Sequence, residues 1–163
     1  MKTILLLRHA KSSWKDSDLD DHDRPLNKRG KQEAPRMGQL LRDEQLLPDF
    51  ILASSAKRCR KTAEHVIHES GYRGETRITG ELYEAGSAKL AALLAALPEE
   101  FQRVLVIGHN PGLEEFLEQL TGSYSPLTTT ALVAVELPIE RWREFGAETR
   151  GTLIQLWQPR ELE

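Results

Sequence analysis

Three short runs, residues 3–7 (TILLL), 50–53 (FILA) and 104–107 (VLVI), are apolar almost from end to end. A strand with one wet face alternates apolar and polar residues. An unbroken apolar strand is buried on both faces, as in a parallel sheet covered by helices. Residues 131–137 and 152–157 read as two more strands, and the alternation of Ala131, Val133, Val135 and Leu137 suggests a partly polar face on the first of them. Between the runs lie helical stripes. Leu90, Leu93, Leu94 and Leu97 share a face, with Ser87 as N-cap and Pro98 as stop; Leu113, Phe116, Leu117 and Leu120 do the same ahead of Gly122. Cys59, Ala63, Val66 and Ile67 form a third stripe closed by Gly71. In residues 27–45, Ala34, Met37 and Leu41 share a face, and Pro35 is expected to kink that helix or delay its start. Strands alternating with helices predict a three-layer α/β/α sandwich around a mostly parallel central sheet. Residues 1–163 are read as one domain, with no repeat, linker or low-complexity tract.

Composition removes several function classes. One cysteine, Cys59, excludes an internal disulfide framework and a zinc site of paired thiolates. A net charge of −3 argues against a broadly basic nucleic-acid footprint. No apolar stretch reaches the ~18–20 residues of a membrane span. The opening run meets Arg8 too soon for a secretory signal, so a cytoplasmic location is expected, with neither membrane nor nucleic acid as partner.

In open α/β sheets ligands gather beyond the carboxyl ends of the strands, beside helix N-termini. Three segments bring unusual residues to that edge. Arg8, His9 and Lys11 follow the first strand, and cations beside an imidazole lower its pKa and keep it neutral and nucleophilic. After the second strand, Ser54 or Ser55 is a candidate helix cap, which puts Arg58 in the first helical turn and Thr62 one turn further along the same face. A guanidinium there can fork onto two phosphate oxygens. After the third run comes His109, followed by Asn110 as candidate N-cap and Pro111 at the first helical position. Each segment alone also fits a structural role. Together they suggest two histidines and two arginines converging on one phosphate.

The order and spacing of Arg8-His9, of Ser54 through Arg58 to Thr62, and of His109 closely resemble the histidine phosphatase superfamily, the phosphoglycerate mutase-like fold. The short chain and the segment from Arg24-Pro25-Leu26 to Gly30 look most like its small SixA-type phosphohistidine phosphatase branch. The likeness runs from Thr3 to at least Leu137, most of the chain. It implies that His9 is the nucleophile, forming a phosphohistidine intermediate. Arg8 and Arg58 would clamp the phosphate, His109 would be the second pocket histidine, and no cofactor or metal would be needed. Leu82-Tyr83-Glu84 resembles the segment that carries a proton-donating glutamate, making Glu84 the first candidate acid and Glu81 a competitor. Ala10 stands where the signature usually has glycine.

Lys11, Ser54 and Arg24 complete the candidate substrate-binding set, Arg24 with a loop-fastening role as its alternative. His65 and His68 have a metal-compatible spacing but no third ligand, and His22 lies in an acidic loop, residues 16–23 (DSDLDDHD). Asp20, Asp21 and Asp23 lack the glycine and terminal glutamate of a calcium loop. Trp157, ending an apolar strand, is expected in the core. The expected activity is a phosphohydrolase acting on phosphohistidine of a phosphotransfer protein. Its rivals are a phosphatase for small phosphorylated substrates and a non-catalytic phosphate-binding module. The sequence leaves the oligomeric state open.

Overall fold

A computed structural model describes residues 1–162. Six strands form one sheet: β1 (Lys2–Arg8), β2 (Phe50–Ser54), β3 (Glu75–Thr79), β4 (Arg103–Gly108), β5 (Leu132–Leu137) and β6 (Thr152–Trp157). Their order across the sheet is β3-β2-β4-β1-β5-β6. Neighbours from β3 to β1 are parallel, whereas β5 runs antiparallel to both β1 and β6. The expected α/β sandwich with a mostly parallel sheet is therefore present. Four helices complete it: α1 (Lys28–Asp43), α2 (Lys57–Ser70), α3 (Ser87–Ala95) and α4 (Gly112–Thr121).

The unbroken apolar runs are explained by what lies on each face. In β1, Ile4 and Leu6 face one cluster with Leu90 and Leu94 of α3 and Phe116 and Leu117 of α4. Leu5 and Leu7 face the other, with Met37 and Leu41 of α1 and Cys59, Ala63 and Val66 of α2. Successive side chains of a strand point to opposite faces, so a strand between two helical layers needs apolar residues at every position. Each such side chain contributes about 1.5–3 kcal/mol when fully buried.

Several local expectations need correction. Strand β3 was missed because, as an edge strand, it is polar and largely exposed. Strand β5 has no wet face; it is buried between β1 and β6 apart from half-buried Glu136. Pro35 lies inside α1 without delaying it, and the start is fixed by Asn27, whose side chain accepts the Gly30 N–H at 2.9 Å. Neither Ser54 nor Ser55 caps α2, which begins after Ala56. Ser87 is the first residue of α3 rather than its cap, and α4 has Pro111, not Asn110, at its N-cap. Gly71 and Gly122 end α2 and α4 at φ 76° and 81°, a left-handed conformation that glycine adopts without a Cβ clash. Trp157 is buried.

Register builds the functional edge. Arg8 of β1 pairs with Gly108 of β4, and the His9 N–H donates to the Gly108 carbonyl at 3.1 Å. Ala53 of β2 pairs with Ile107 of β4. The residues after β1, β4 and β2 thus emerge side by side, where β4 returns between the two earlier strands.

Candidate active site

His9 and His109 face each other across this edge, with ring centroids 5.3 Å apart and planes inclined by 58°. The His9 Nδ1 lies 2.8 Å from the Ala10 carbonyl, which can only accept, so Nδ1 carries the proton and Nε2 keeps its lone pair. Burial, assisted by Arg58, His109 and Arg8, lowers the His9 pKa to about 3, keeping the ring neutral near pH 7. The His109 Nε2 meets the Ser54 hydroxyl at 2.8 Å, and burial followed by Arg58 lowers its pKa to about 4. Ser54 was expected to bind substrate. It is fully buried, accepts the Ala56 N–H and fixes His109 instead.

Arg58 lies between the rings. Its Nε is 3.4 Å from His9 Nε2, and its Nη2 is 3.5 Å from His109 Nδ1. Arg8 lines the cleft with His9, Lys11, Arg24, Arg58 and His109. Its Nη1 donates to the Leu127 carbonyl at 2.9 Å, and its buried Nε has no hydrogen-bond partner among the described residues. The four side chains singled out from the sequence therefore meet in one place. Lys11 is exposed at the rim.

The Ala10 substitution causes no backbone conflict. Ala10 is fully buried, and it is not among the non-glycine residues with positive φ. Its N–H donates to Thr62 Oγ1 at 2.9 Å, and that hydroxyl donates to the Arg58 carbonyl at 2.7 Å. Glycine is needed nearby at Gly30, where a Cβ would lie 2.2 Å from the Lys11 carbonyl oxygen. Thr130, at φ 66°, donates its N–H to the Arg8 and His9 carbonyls, a strained conformation for a β-branched residue.

Beyond Arg58 and His109 the cleft continues into a hollow of ≈ 290 Å³ bordered by Asp21, Glu84, Gly112 and Glu115. Glu84 is exposed there, held at φ 58°. Glu81 points elsewhere and pairs with Lys89 at 3.8 Å. Arg24 is nearly buried. Its Nε donates to the Ser13 carbonyl, Nη1 to Asp21 and Nη2 to Ser12, while the exposed Trp14 ring stacks 3.2 Å from its guanidinium carbon. These bonds fasten the loop, the alternative role considered for Arg24.

Asp21 and Tyr83 were not foreseen. The Asp21 carboxylate accepts from Tyr83, Arg24 and Arg58, and these bonds, Tyr83's above all, hold its pKa well below the usual range. The same bond pushes the Tyr83 phenol up to about 12. Nothing in the run of aspartates separates Asp21 from Asp20 or Asp23; only the three-dimensional path of the loop does. Cys59 is buried with its thiol raised to about 12 by desolvation, and His65 and His68 lie away on α2. Among the described residues no group of three His, Cys, Asp or Glu side chains is arranged to hold a metal ion.

Comparison with known proteins assigns the architecture. The sequence pattern of the histidine phosphatase superfamily (branch 1) matches residues 4–103. The chain belongs to this superfamily. Within it, an uncharacterized Mycobacterium leprae protein is 31% identical over 160 residues, covering 96% of this chain and 93% of the relative. A SixA of Agrobacterium tumefaciens, assigned as a phosphohistidine phosphatase, superimposes with a TM-score of 0.84 at 32% identity, covering 97% and 98% of the two chains. The protein histidine phosphatase SixA complexed with tungstate gives 0.83 at 26% identity, covering 99% of each. The superfamily member described here is thus of the SixA type, which supports phosphohydrolase activity. No helix among the described residues is long and apolar enough to cross a membrane.

Proposed function

We propose that the protein removes the phosphoryl group from phosphohistidine on a phosphotransfer protein, with His9 as nucleophile and no metal or cofactor. The observation that carries this reading is the unprotonated His9 Nε2, which faces the Arg58 guanidinium with His109 beside it. The Nε2 lone pair attacks phosphorus as the bond to the donor imidazole breaks. The donor ring, already protonated on its distal nitrogen, leaves neutral. Free imidazole has a pKa near ~6.5, so this departure needs modest help. Water then attacks phosphorus, the bond to Nε2 breaks, and both water protons leave with inorganic phosphate. His9 returns to its starting tautomer. Arg8 and Arg58 neutralise the transferring oxygens, acting more strongly in a water-poor site than in bulk solvent. When the Ser54 hydroxyl donates to His109 Nε2, Nδ1–H is left for the phosphate.

The SixA neighbour is complexed with tungstate, an oxyanion, which supports oxyanion binding by this chain. The exposed Trp14 beside Arg24 and Lys11 gives the mouth a rim suited to a protein surface. A second reading, hydrolysis of small phosphoesters, is favoured by one observation. Glu84 borders the hollow beyond Arg58, where an alkoxide leaving group would need a proton.

The test is to incubate the protein with a phosphodonor, quench in alkali and map an acid-labile, alkali-stable phosphate to His9. Label on His9, lost in His9→Ala together with turnover, is the expected result, and a chelator leaves the rate unchanged. Unlabelled protein with undiminished hydrolysis in His9→Ala would remove the mechanism. Phosphate binding without release would identify a binding module.

A further inference from the structure

Arg58 has five N–H donors in a fixed plane. Two are taken by one residue: Nη1 donates to the Asp21 carbonyl at 2.7 Å and Nη2 to Asp21 Oδ2 at 3.0 Å. These bonds use the end of the fork. The side edge, Nε with the second hydrogen of Nη2, is turned towards His9 Nε2 and His109 Nδ1. A carboxylate lying in the phosphate position would occupy that side edge. Asp21 occupies the other one.

Asp21 is itself fixed from two further directions. Tyr83 donates to Oδ2 at 2.5 Å and Arg24 to Oδ1 at 2.8 Å, while Arg24 is tied to Ser12 and Ser13 after β1. Its neighbour His22 meets Ser55, after β2, at 2.8 Å. The loop of residues 16–23 is thereby pinned to the segments that carry His9 and Arg58.

From this geometry we infer that Asp21 is a positioning residue, which sets the rotation of the Arg58 guanidinium so that its side edge meets the phosphoryl group between His9 and His109. The inference rests on the phosphatase reading and adds a residue that neither sequence motif nor family resemblance supplied. An arginine free to turn would spend part of its time with the fork out of line, and a misplacement of ~1 Å can cost about 100-fold in rate.

The experiment compares wild type, Asp21→Asn, Arg58→Lys and the double variant, measuring kcat and KM for p-nitrophenyl phosphate and inhibition by orthovanadate. In Asp21→Asn, kcat falls about 10- to 100-fold with a smaller change in KM, and vanadate binds more weakly, because both depend on the oriented fork. A lysine has no fork to orient, so in the Arg58→Lys background Asp21→Asn costs less than about threefold. Fully multiplicative effects would overturn the inference, as would tighter vanadate binding in Asp21→Asn, the sign of a carboxylate that competes with phosphate. Should Asp21→Asn not fold, Tyr83→Phe makes the same comparison. It removes one bond to the same carboxylate oxygen, and a loss of equal size in both Arg58 backgrounds refutes the proposal. His9→Ala keeps the two questions apart: undiminished turnover there refutes the His9 mechanism, whatever Asp21 does.

Discussion

Acid should weaken the fold through the two pocket histidines. In the unfolded chain each titrates near ~6.5. In the folded protein burial lowers His9 to about 3 and His109 to about 4. Between these limits the unfolded state binds the extra protons, so stability is fully present above pH 6.5 and falls as pH drops towards the folded values. Each histidine then contributes a slope approaching ~1.4 kcal/mol per pH unit, or about 2 kcal/mol between pH 7 and 5. Urea denaturation across that range measures it, in wild type and in His9→Asn and His109→Gln. The amides keep a donor near Nδ1 of His9 and an acceptor near Nε2 of His109 but do not titrate. Carboxylates elsewhere affect all three proteins alike, so the difference isolates the ring. Each variant should lose about 2 kcal/mol less than wild type on acidification from pH 7 to 5. Parallel curves would mean that the rings are solvated and titrate normally, which would refute the argument that burial keeps them neutral.

Arg58→Ala removes two charge-assisted donors worth ~1.5–3 kcal/mol each, so kcat/KM falls about 10²- to 10⁴-fold while circular dichroism stays native. A loss under about tenfold would take Arg58 out of the phosphate clamp. Ala10→Gly leaves kcat unchanged, because residue 10 needs no glycine conformation, and lowers urea stability by about 0.5–1 kcal/mol through the freer unfolded chain. Glu84→Gln spares phosphohistidine protein but slows an alkyl phosphate by about 100-fold if the carboxyl protonates the leaving oxygen. Equal effects on both would separate Glu84 from proton donation.

The sheet was legible where burial left no choice. Residues 3–7, 50–53 and 104–107 announce strands because two helical layers press on them, and the residues that end those runs are the ones that reach the cleft. Strand β3 escaped because an edge strand with wet faces has no such pattern. Within the site, Arg8, His9, Arg58 and His109 were readable since each ends a strand, follows one directly or lies in the first turn of the next helix. Ser54 was assigned to the wrong side of His109: the sequence puts a hydroxyl after β2 but not the direction it faces. Asp21 stayed hidden for a related reason, since its role comes from a loop that folds back over another segment, and no local spacing encodes that return.

The two pocket imidazoles hang from neighbouring strands in matched register, so their 5.3 Å separation follows the ~4.8 Å interstrand spacing that backbone hydrogen bonding imposes. The sheet is in effect the ruler of the pocket. Trimming a rim side chain such as Trp14 or Lys11 can change which molecule carries the anion in, but it cannot widen the slot. A bulky replacement for Ile107 or Leu7, whose side chains face the α1 and α2 layer, would instead push that layer off the sheet and lower stability and turnover together. Diversification in a scaffold of this kind is therefore free at the margin and closed at the centre.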